Sequence, residues 1–354
     1  MDTRTPLLYV LHSGNLYGTE RMALATLEGL QDSFAPVLFA PPGPAIEEGL
    51  RLGIPSFSFS SPLELLRRVH PYFWKYRRLA FVATGVVQSA VCILLRILYW
   101  RRVSHLHIVH GGTDERLSYG RKRHLAGWDV TLVAVSEFVR EKLKTHRVPA
   151  SRIEVIENFL PDSVTVAAPR REALSGPVQN VIVVSRIDPI KRIDLLLDAL
   201  DEAPDLGALS ISILGTGWDL DKLRKRAAER NPNVDFVGFC PDVAARLAKA
   251  DLLVHLCPEE PFGLAILEAM VAGIPILVPD SGGAGSLIED GVTGFRFKAN
   301  SKESLVSRLR EIVTTSPETL NQLVVKAAQT LNARFSPRER LKDYQDLIMR
   351  GFNE

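Results

Sequence analysis

Short apolar runs alternate with helical patterns in two successive sets along the chain, and this alternation restricts the fold more than any other feature. The first set opens with an apolar run at residues 7–12, a glycine-bearing loop and a helical pattern over 21–30. The second opens with an apolar run at 181–185 and a helical pattern over 191–200. Strand, loop and helix in that order begin a doubly wound parallel sheet, whose loops form a ligand-binding edge. The expected fold class is therefore α/β, with two such sheets.

Residues 160–178 separate the two sets, because they lose periodicity and carry Pro, Ser and Gly. We therefore expect one domain over residues 1–165, a second over 178–335 and a C-terminal helix over 336–354. One helical stretch is expected over 301–332, ahead of that last helix.

The segment 79–100 is apolar enough to suggest a membrane span, but Gln88 and Arg96 interrupt it and Thr84-Gly85 divides it. The pattern predicts a strand over 79–83 and a helix of about 15 residues from Val86, short of the roughly 20 needed to cross a bilayer.

The first six residues lack signal-peptide features. Three cysteines lack metal or disulfide spacing, which favours a cytoplasmic protein: they are Cys92, Cys240 and Cys257.

Positive charge is concentrated in residues 61–125, which hold twelve Lys and Arg against three acids, although the net charge of the chain is only +2. Aromatic residues lie among them at Tyr72, Phe73, Trp74 and Tyr76. One interpretation is a surface that docks on anionic lipid at the inner face of the cytoplasmic membrane, and the other is a solvated basic face. Nothing resembles a nucleic-acid-binding module, so no nucleic acid partner is expected.

The segment 260–268 has the composition of an anion site at a strand-to-helix turn. It follows an apolar run at 251–256, and Pro261 suits the first helical position. The amides that follow, of Phe262, Gly263 and Leu264, would lie in the first turn, where few acceptors are available. Glu260 and Glu268 flank them, which fits a ligand with phosphates between two hydroxyl-rich groups. A nucleotide diphosphate-sugar is such a ligand. The alternative is a capped surface helix with two solvated acids.

The segment 260–268 has the pattern Glu-x7-Glu with Pro-Phe-Gly inside it. After it come Glu-Ala-Met-x-Ala-Gly-x-Pro, which starts at Glu268, then Gly282-Gly283 and Gly291-Val292-Thr293-Gly294. This pattern resembles the donor-site signature of the family 4 glycosyltransferases, also called glycosyl transferases group 1. The resemblance is strong over 181–297 and looser in the first domain. It implies the GT-B fold, in which two Rossmann-like domains face a cleft and the last helix crosses back to the first domain. The first domain would then bind the acceptor and the second the donor.

The resemblance also implies roles for individual residues. Glu268 would hold the ribose hydroxyls, and Glu260 the hydroxyls of the donor sugar on the side facing His110. Arg186 and Lys191 would hold the diphosphate and, with Glu260 and His110, form the catalytic set. The implied donor-binding residues are Gly18, Gly215, Gly238, Phe239, Phe262, Gly263, Leu264 and Glu268. Purely structural roles stay open as alternatives for some of these residues. They are hydrogen bonding to the backbone for His110, a surface salt bridge for Arg186 and Lys191, and an ordinary turn at Gly18.

The chain departs from the family pattern at three places. Tyr17-Gly18 replaces the usual Gly-Gly pair, Glu157-Asn158-Phe159 stands where Pro-Asn-Gly is common, and Arg192 replaces the glycine after the lysine.

The expected reaction is retaining sugar transfer from a nucleotide diphosphate-sugar, UDP first and GDP second, to a hydroxyl of a glycan or lipid-linked acceptor. No cofactor or metal is expected, because Asp219-Leu220-Asp221 opens a predicted helix and the cations serve the diphosphate. Two alternatives are a GT-B nucleotide-sugar epimerase and a catalytically silent GT-B scaffold that binds a membrane or protein partner.

Overall fold

The computed structural model describes residues 4–112 and 115–353, and the chain divides into two compact units. Unit 1 comprises Met1–Pro161 and Pro337–Glu354, and unit 2 comprises Asp162–Ser336.

Unit 1 is built on a parallel sheet of seven strands. The strands are β1 Thr5–Val10, β2 Phe34–Ala40, β3 Ser56–Ser58, β4 Arg78–Ala83, β5 Arg102–Val109, β6 Thr131–Ala134 and β7 Ile153–Val155. The helices are α1 Gly18–Gly29, α2 Pro44–Arg51, α3 Pro62–Lys75, α4 Val86–Tyr99, α5 Glu115–Ser118 and α6 Glu137–Thr145, joined by the last helix, α15 Pro337–Arg350. The strand order is β3-β2-β1-β4-β5-β6-β7.

Unit 2 is built on a parallel sheet of six strands. The strands are β8 Asn180–Val184, β9 Ser210–Leu214, β10 Val234–Gly238, β11 Leu252–Val254, β12 Ile276–Pro279 and β13 Phe295–Phe297. The helices are α7 Asp162–Ala167, α8 Ile193–Glu202, α9 Leu220–Arg230, α10 Val243–Leu247, α11 Leu264–Ala272, α12 Gly282–Leu287, α13 Lys302–Thr314 and α14 Pro317–Arg334. The strand order is β10-β9-β8-β11-β12-β13.

Both sheets are doubly wound, which confirms the predicted α/β class. In each, the chain adds two strands on one side of the first strand and then returns to add the fourth on its other side. The switch point, where the direction of strand addition reverses, therefore lies between β1 and β4 in unit 1 and between β8 and β11 in unit 2. Ligands of such sheets bind at the carboxyl ends of the strands beside the switch point. This rule selects one edge of each unit for a functional site.

The prediction for the apolar segment 79–100 is confirmed. It forms the buried strand β4 and the 14-residue helix α4. Gly85 is the N-cap residue that ends the strand-to-helix turn. Among the described residues, no helix combines the length and the apolar character that crossing a membrane requires.

Two boundaries differ from the sequence prediction. The predicted helix 301–332 is two helices, because Ser316 caps a new helix through the amide of Thr319 and Pro317 occupies its first turn. Residues 160–178, predicted as a linker, largely pack on unit 2. Arg171 Nε donates to the carbonyl of Ala250 at 2.7 Å, and Leu174 is buried in the core of unit 2.

The C-terminal helix returns to unit 1, as the fold prediction required. Leu341 lies against Gly29 of α1, and Arg350 Nη1 donates to Glu154 Oε1 at 2.7 Å. The Arg78 guanidinium lies 4.2 Å from the ring centroid of Phe352.

Candidate active site

A buried ion pair occupies the switch point of unit 2. Lys191 follows β8 and Glu260 follows β11, and β8 and β11 are neighbours in the sheet. Lys191 Nζ donates to Glu260 Oε2 at 2.6 Å, and each side chain is only 14% exposed. The structure therefore brings together two residues of the predicted catalytic set that are 69 positions apart in the sequence.

His255 is a site residue that the sequence analysis missed. Its Nε2 lies 3.3 Å from Glu260 Oε2, and the residue is buried. His255 directly follows β11, so it stands at the carboxyl end of a strand. The same positional rule singled out His110 and would have found His255 as well.

The electrostatics of the pair favour its charged form. Burial acts to raise the pKa of Glu260, but Lys191 and His255 outweigh it, so the pKa lies well below its ordinary value of 4.5. Burial acts to lower the pKa of Lys191, but Glu260 outweighs it and the pKa is raised above 10.5. Burial and Glu260 raise the pKa of the nearby Cys257 thiol to about 12, against the opposing effect of Lys191. At neutral pH the site therefore holds one ammonium, one carboxylate and a protonated thiol.

The loop that carries Glu260 corrects one prediction. Helix α11 begins at Leu264 with Gly263 as its N-cap at φ 105°, so Pro261 and Phe262 lie before the helix and not in its first turn. A long-range contact keeps these two residues out of the helix: Gly283 N donates to the Glu260 carbonyl at 2.6 Å. The first-turn amides without an intrahelical acceptor begin at Leu264. Phe262 is buried and its ring packs edge-on against Phe335 at 5.9 Å.

Arg186 lies beside the pair on the loop after β8. Its side chain is half-exposed, and Nη1 lies 3.0 Å from Oδ2 of the buried Asp188. Asp188 also accepts from the amide of Trp218 at 3.4 Å, which links this loop to the one after β9. Trp218 is almost fully exposed at the same edge of the sheet, and sequence reasoning did not single it out.

Three predicted donor-binding residues, Gly215, Gly238 and Phe239, end the next two strands. Gly215 follows β9 and its N–H donates to the carbonyl of Gly238, the last residue of β10, at 2.8 Å. Phe239 follows directly with an exposed ring. Glu268 lies in the second turn of α11 and is half-buried. The three residues after or at the end of β9 and β10 lie at the carboxyl edge of the sheet, and Glu268 lies in the helix that follows β11. The roles of all four in donor binding stay predictions.

Arg192, which stands where the family pattern has glycine, adopts a left-handed backbone conformation with φ 53°. This region disfavours residues with a Cβ atom, which explains why glycine suits the position. The Arg192 side chain contacts Asp194 and Asn300.

Two other predicted site residues, His110 and Gly18, belong to unit 1. Gly18 begins α1, and His110 follows β5. His110 lines a cavity of about 800 Å³ at the switch point of unit 1. His12, which follows β1, lines the same cavity and its Nδ1 lies 2.8 Å from Thr84 Oγ1. The structure thus places His110 at the wall of this cavity, and its role at the donor sugar stays a prediction.

The histidines of unit 1 divide into two groups. His105 and His107 are buried in β5 and both contact Ser89 Oγ, at 3.1 and 2.8 Å, so they have structural positions. His110 Nε2 is buried and has no hydrogen-bond partner among the described residues. Burial, then the charge of His12, lowers the pKa of His110 to about 3. It is therefore neutral at pH 7 and available to hydrogen-bond a ligand.

An exposed apolar stripe, here the α4 ridge, follows the outer face of α4. It consists of Val87, Leu94, Ile97, Leu98 and Trp100, of which Trp100 is 92% exposed. Exposed cations lie near it in the sequence, on α3 and just beyond: Arg67, Arg68, Lys75 and Arg77. Within the basic region 61–125, Asp114 and the side chains of Glu115 and Arg116 lie outside the described part of the chain.

Comparison with known proteins gives the class and the family. HepE from Anabaena, solved in complex with UDP-glucose, superimposes with a TM-score of 0.82 at 18% identity, covering 98% of this chain and 100% of that one. Two doubly wound units matched over that length define a GT-B protein. Glycosyl transferases group 1 matches residues 168–330, and Glycosyltransferase Family 4 matches residues 17–164. The chain therefore belongs to the group 1, or family 4, glycosyltransferases.

Among curated relatives, the D-inositol 3-phosphate glycosyltransferase of Streptomyces avermitilis is 27% identical over 69% of this chain and 57% of its own length. The GDP-mannose-dependent alpha-(1-6)-phosphatidylinositol monomannoside mannosyltransferase of Mycobacterium tuberculosis is 28% identical over 53% of each chain. The alignments thus span little more than half the length of these two relatives.

Proposed function

We propose that the protein transfers a sugar from a nucleotide diphosphate-sugar to a hydroxyl group, with retention at the anomeric carbon. The Lys191–Glu260 pair carries the proposal, because it places a buried cation beside a carboxylate at the switch point of unit 2, the usual nucleotide position in such sheets. Membership of the family supports retention, which is the stereochemistry of these enzymes.

The cations would stabilise the departing diphosphate. A lysine ammonium has three donors and Glu260 takes one, so Lys191 keeps capacity for phosphate oxygens. The half-exposed Arg186 supplies a second cation, fixed by Asp188. Preorganised charges of this kind act where negative charge develops in the transition state. The proposed reaction therefore needs no metal ion or cofactor.

Carboxylates would recognise the two hydroxyl-rich ends of the donor. Each carboxylate oxygen accepts two hydrogen bonds, so Glu260 can bind sugar hydroxyls while it pairs with Lys191. Glu268 would bind the ribose. The base of the donor is proposed as uracil first and guanine second, since HepE was solved with UDP-glucose and the mannosyltransferase relative is named for GDP-mannose. The acceptor is proposed as a hydroxyl of a glycan or lipid-linked molecule.

A turnover assay tests this proposal. With the correct sugar nucleotide, release of nucleoside diphosphate should require an acceptor and should be unchanged by EDTA, and proton NMR should show the donor's anomeric configuration in the product. Formation of an epimerised free sugar without an acceptor would identify an epimerase instead. Nucleotide binding without any turnover across a broad acceptor panel would identify a silent scaffold.

We also propose that unit 1 rests on an anionic membrane surface through the α4 ridge. At about 1.5 Å per residue, the 14 residues of α4 are too short to cross a bilayer, but an exposed apolar stripe can lie in its interface. The exposed cations Arg67, Arg68, Lys75 and Arg77 complement anionic head groups.

Replacing Leu94, Leu98 and Trp100 together with serine should weaken binding to phosphatidylserine vesicles at least tenfold. Each large apolar side chain that leaves water on binding contributes about 1.5–3 kcal/mol to the binding free energy. Three such side chains together contribute more than a tenfold change in affinity requires. Cosedimentation with vesicles at low and high salt measures the effect. Val325→Ser, at a residue exposed to a similar degree on α14, is the matched control and should bind like the wild type. Equal binding of the triple variant would show that the ridge does not contact lipid.

A further inference from the structure

Lys122 is a buried lysine that no described carboxylate neutralises. It lies in the 3-10 turn Gly120–His124 of unit 1 and is only 8% exposed. Its Nζ donates to the carbonyl of Leu117 at 2.9 Å, and no ion pair to a described acidic side chain accompanies that bond. Burial, then the charge of Arg121, lowers the pKa of Lys122 to about 8. A buried ammonium without a counter-ion costs free energy, so a ligand that supplies the anion would relieve the cost.

Lys122 faces the cavity that also contains His110. No acidic residue is among the described residues that line this cavity, whereas Arg121 and Lys122 both line it. The two histidines of the lining do not add positive charge at pH 7, because burial lowers the pKa of both His12 and His110, and the Lys122 cation lowers that of His12 further. Within the described part of the lining, the charge is thus carried by one lysine and one arginine.

Two helix N-termini add to this positive potential. The cavity lining includes Ser61 and Pro62 at the start of α3, and Gly85 and Val86 at the start of α4. Both helices have 14 residues. The amides of a helix N-terminus and its dipole favour an anion. The N-cap residue of α4 is Gly85, which has no side chain to accept from the first amides of the helix.

We propose that this cavity binds the acceptor through a phosphate ester, with Lys122 as the residue that selects it. A phosphate ester has up to two negative charges and several acceptor oxygens, which match two cations and a helix N-terminus, whereas a carboxylate has one charge. A volume of about 800 Å³ accommodates a phosphorylated sugar or the head group of a phospholipid. The term acceptor rests on the proposed glycosyltransferase function; the phosphate site itself does not.

The test measures ligand binding by the whole 354-residue chain in the absence of donor. The soluble probes are glucose 6-phosphate and glycerol 1-phosphate, each against its neutral parent, and the lipid probes are vesicles with and without phosphatidylinositol. The wild type should bind at least one phosphorylated probe at least tenfold more tightly than its neutral counterpart. Preference for a soluble ester identifies a sugar or polyol phosphate. Preference for the phosphatidylinositol vesicles identifies a lipid head group when Lys122→Met abolishes it, because the α4 ridge would bind anionic vesicles without Lys122.

Lys122→Met should weaken binding of the preferred probe at least tenfold, and Arg121→Met should also weaken it. Lys144→Met, at an exposed lysine paired with Glu141, is the control and should change nothing. Since Lys122 has no described counter-ion, Lys122→Met should melt at the same temperature as the wild type or higher, whereas a purely structural lysine would give a lower melting temperature. Equal affinity of all probes, or unchanged affinity in Lys122→Met, would overturn the inference.

UDP and GDP binding to the same variants separates this inference from the proposed function. If a nucleotide binds equally to the wild type and to Lys122→Met while phosphate esters do not bind, the donor site stands and the acceptor inference fails. If phosphate esters bind and no nucleotide does, the proposed function fails and the phosphate site stands. A loss of nucleotide affinity in Lys122→Met without phosphate-ester binding would assign Lys122 to the donor and also overturn the inference.

Discussion

Lys191→Met should remove most sugar transfer and also destabilise unit 2. Loss of one preorganised charge at a developing anion lowers kcat by about 10²–10³-fold. Glu260 would also be left charged at a site where its side chain is 14% exposed, and breaking a buried pair costs about 3–5 kcal/mol. His255, 3.3 Å from Glu260, should offset part of this cost, so about 3 kcal/mol is expected. Turnover and chemical denaturation measure the two effects.

The double variant Lys191→Met/Glu260→Gln separates catalysis from stability. It removes both charges, so its unfolding free energy should return to within about 1 kcal/mol of the wild type, while activity stays lost. Lys302→Met, at a lysine paired with the exposed Glu202, is the control and should change stability by less than about 0.5 kcal/mol with full turnover. Near-normal turnover in Lys191→Met would refute the assignment of this site.

The same pair sets a pH window for stability. Because the pKa of Glu260 is depressed below 4.5, its contribution is fully present above that pH and is lost as the pH falls below it. Because the pKa of Lys191 is raised above 10.5, its contribution is present below that pH and is lost above it. The difference in stability between the wild type and the double variant should therefore be constant between about pH 5 and pH 10 and change outside that range.

Gly215→Ala should destabilise unit 2 by about 3 kcal/mol or more, with or without nucleotide. Gly215 has a φ of 140°, and a Cβ atom there would lie 1.9 Å from the carbonyl oxygen of Ser185. That oxygen belongs to the backbone, so the loop after β8 would have to move. Thermal denaturation measures the effect.

Gly176→Ala is the control, because its Cβ atom would meet nothing within 4 Å and its φ is not in the left-handed region. It should be neutral or stabilise slightly. Equal stability of the two alanine variants would show that the loops after β8 and β9 do not approach each other this closely.

The strand and helix pattern was predictable because buried parallel strands are apolar runs and helices have a 3.6-residue period. Residues 79–100 illustrate this, since strand β4 and helix α4 lie where predicted. The missed break after Thr314 was also predictable, because Ser316-Pro317 is a capping signal that the periodic pattern concealed.

The contacts of the site were less predictable, because they depend on strand order. Lys191 meets Glu260 only because β11 lies beside β8, and composition does not reveal that order. The start of α11 was mispredicted for a similar reason. Pro261 suits a first turn locally, but the bond from Gly283 to the Glu260 carbonyl keeps this segment out of the helix. Family resemblance supplied the residues of the site, and the structure supplied their partners.

Unit 2 is proposed to bind a nucleoside diphosphate at its switch point, and thermal stability with UDP, GDP and ADP tests this binding most directly. A ligand at about 100 times its dissociation constant adds about 2.7 kcal/mol of stability. One nucleotide should raise the melting temperature of the wild type, and the shift should be lost in Glu268→Ala. Absence of a shift with all three nucleotides, or an undiminished shift in Glu268→Ala, would contradict the proposed donor site.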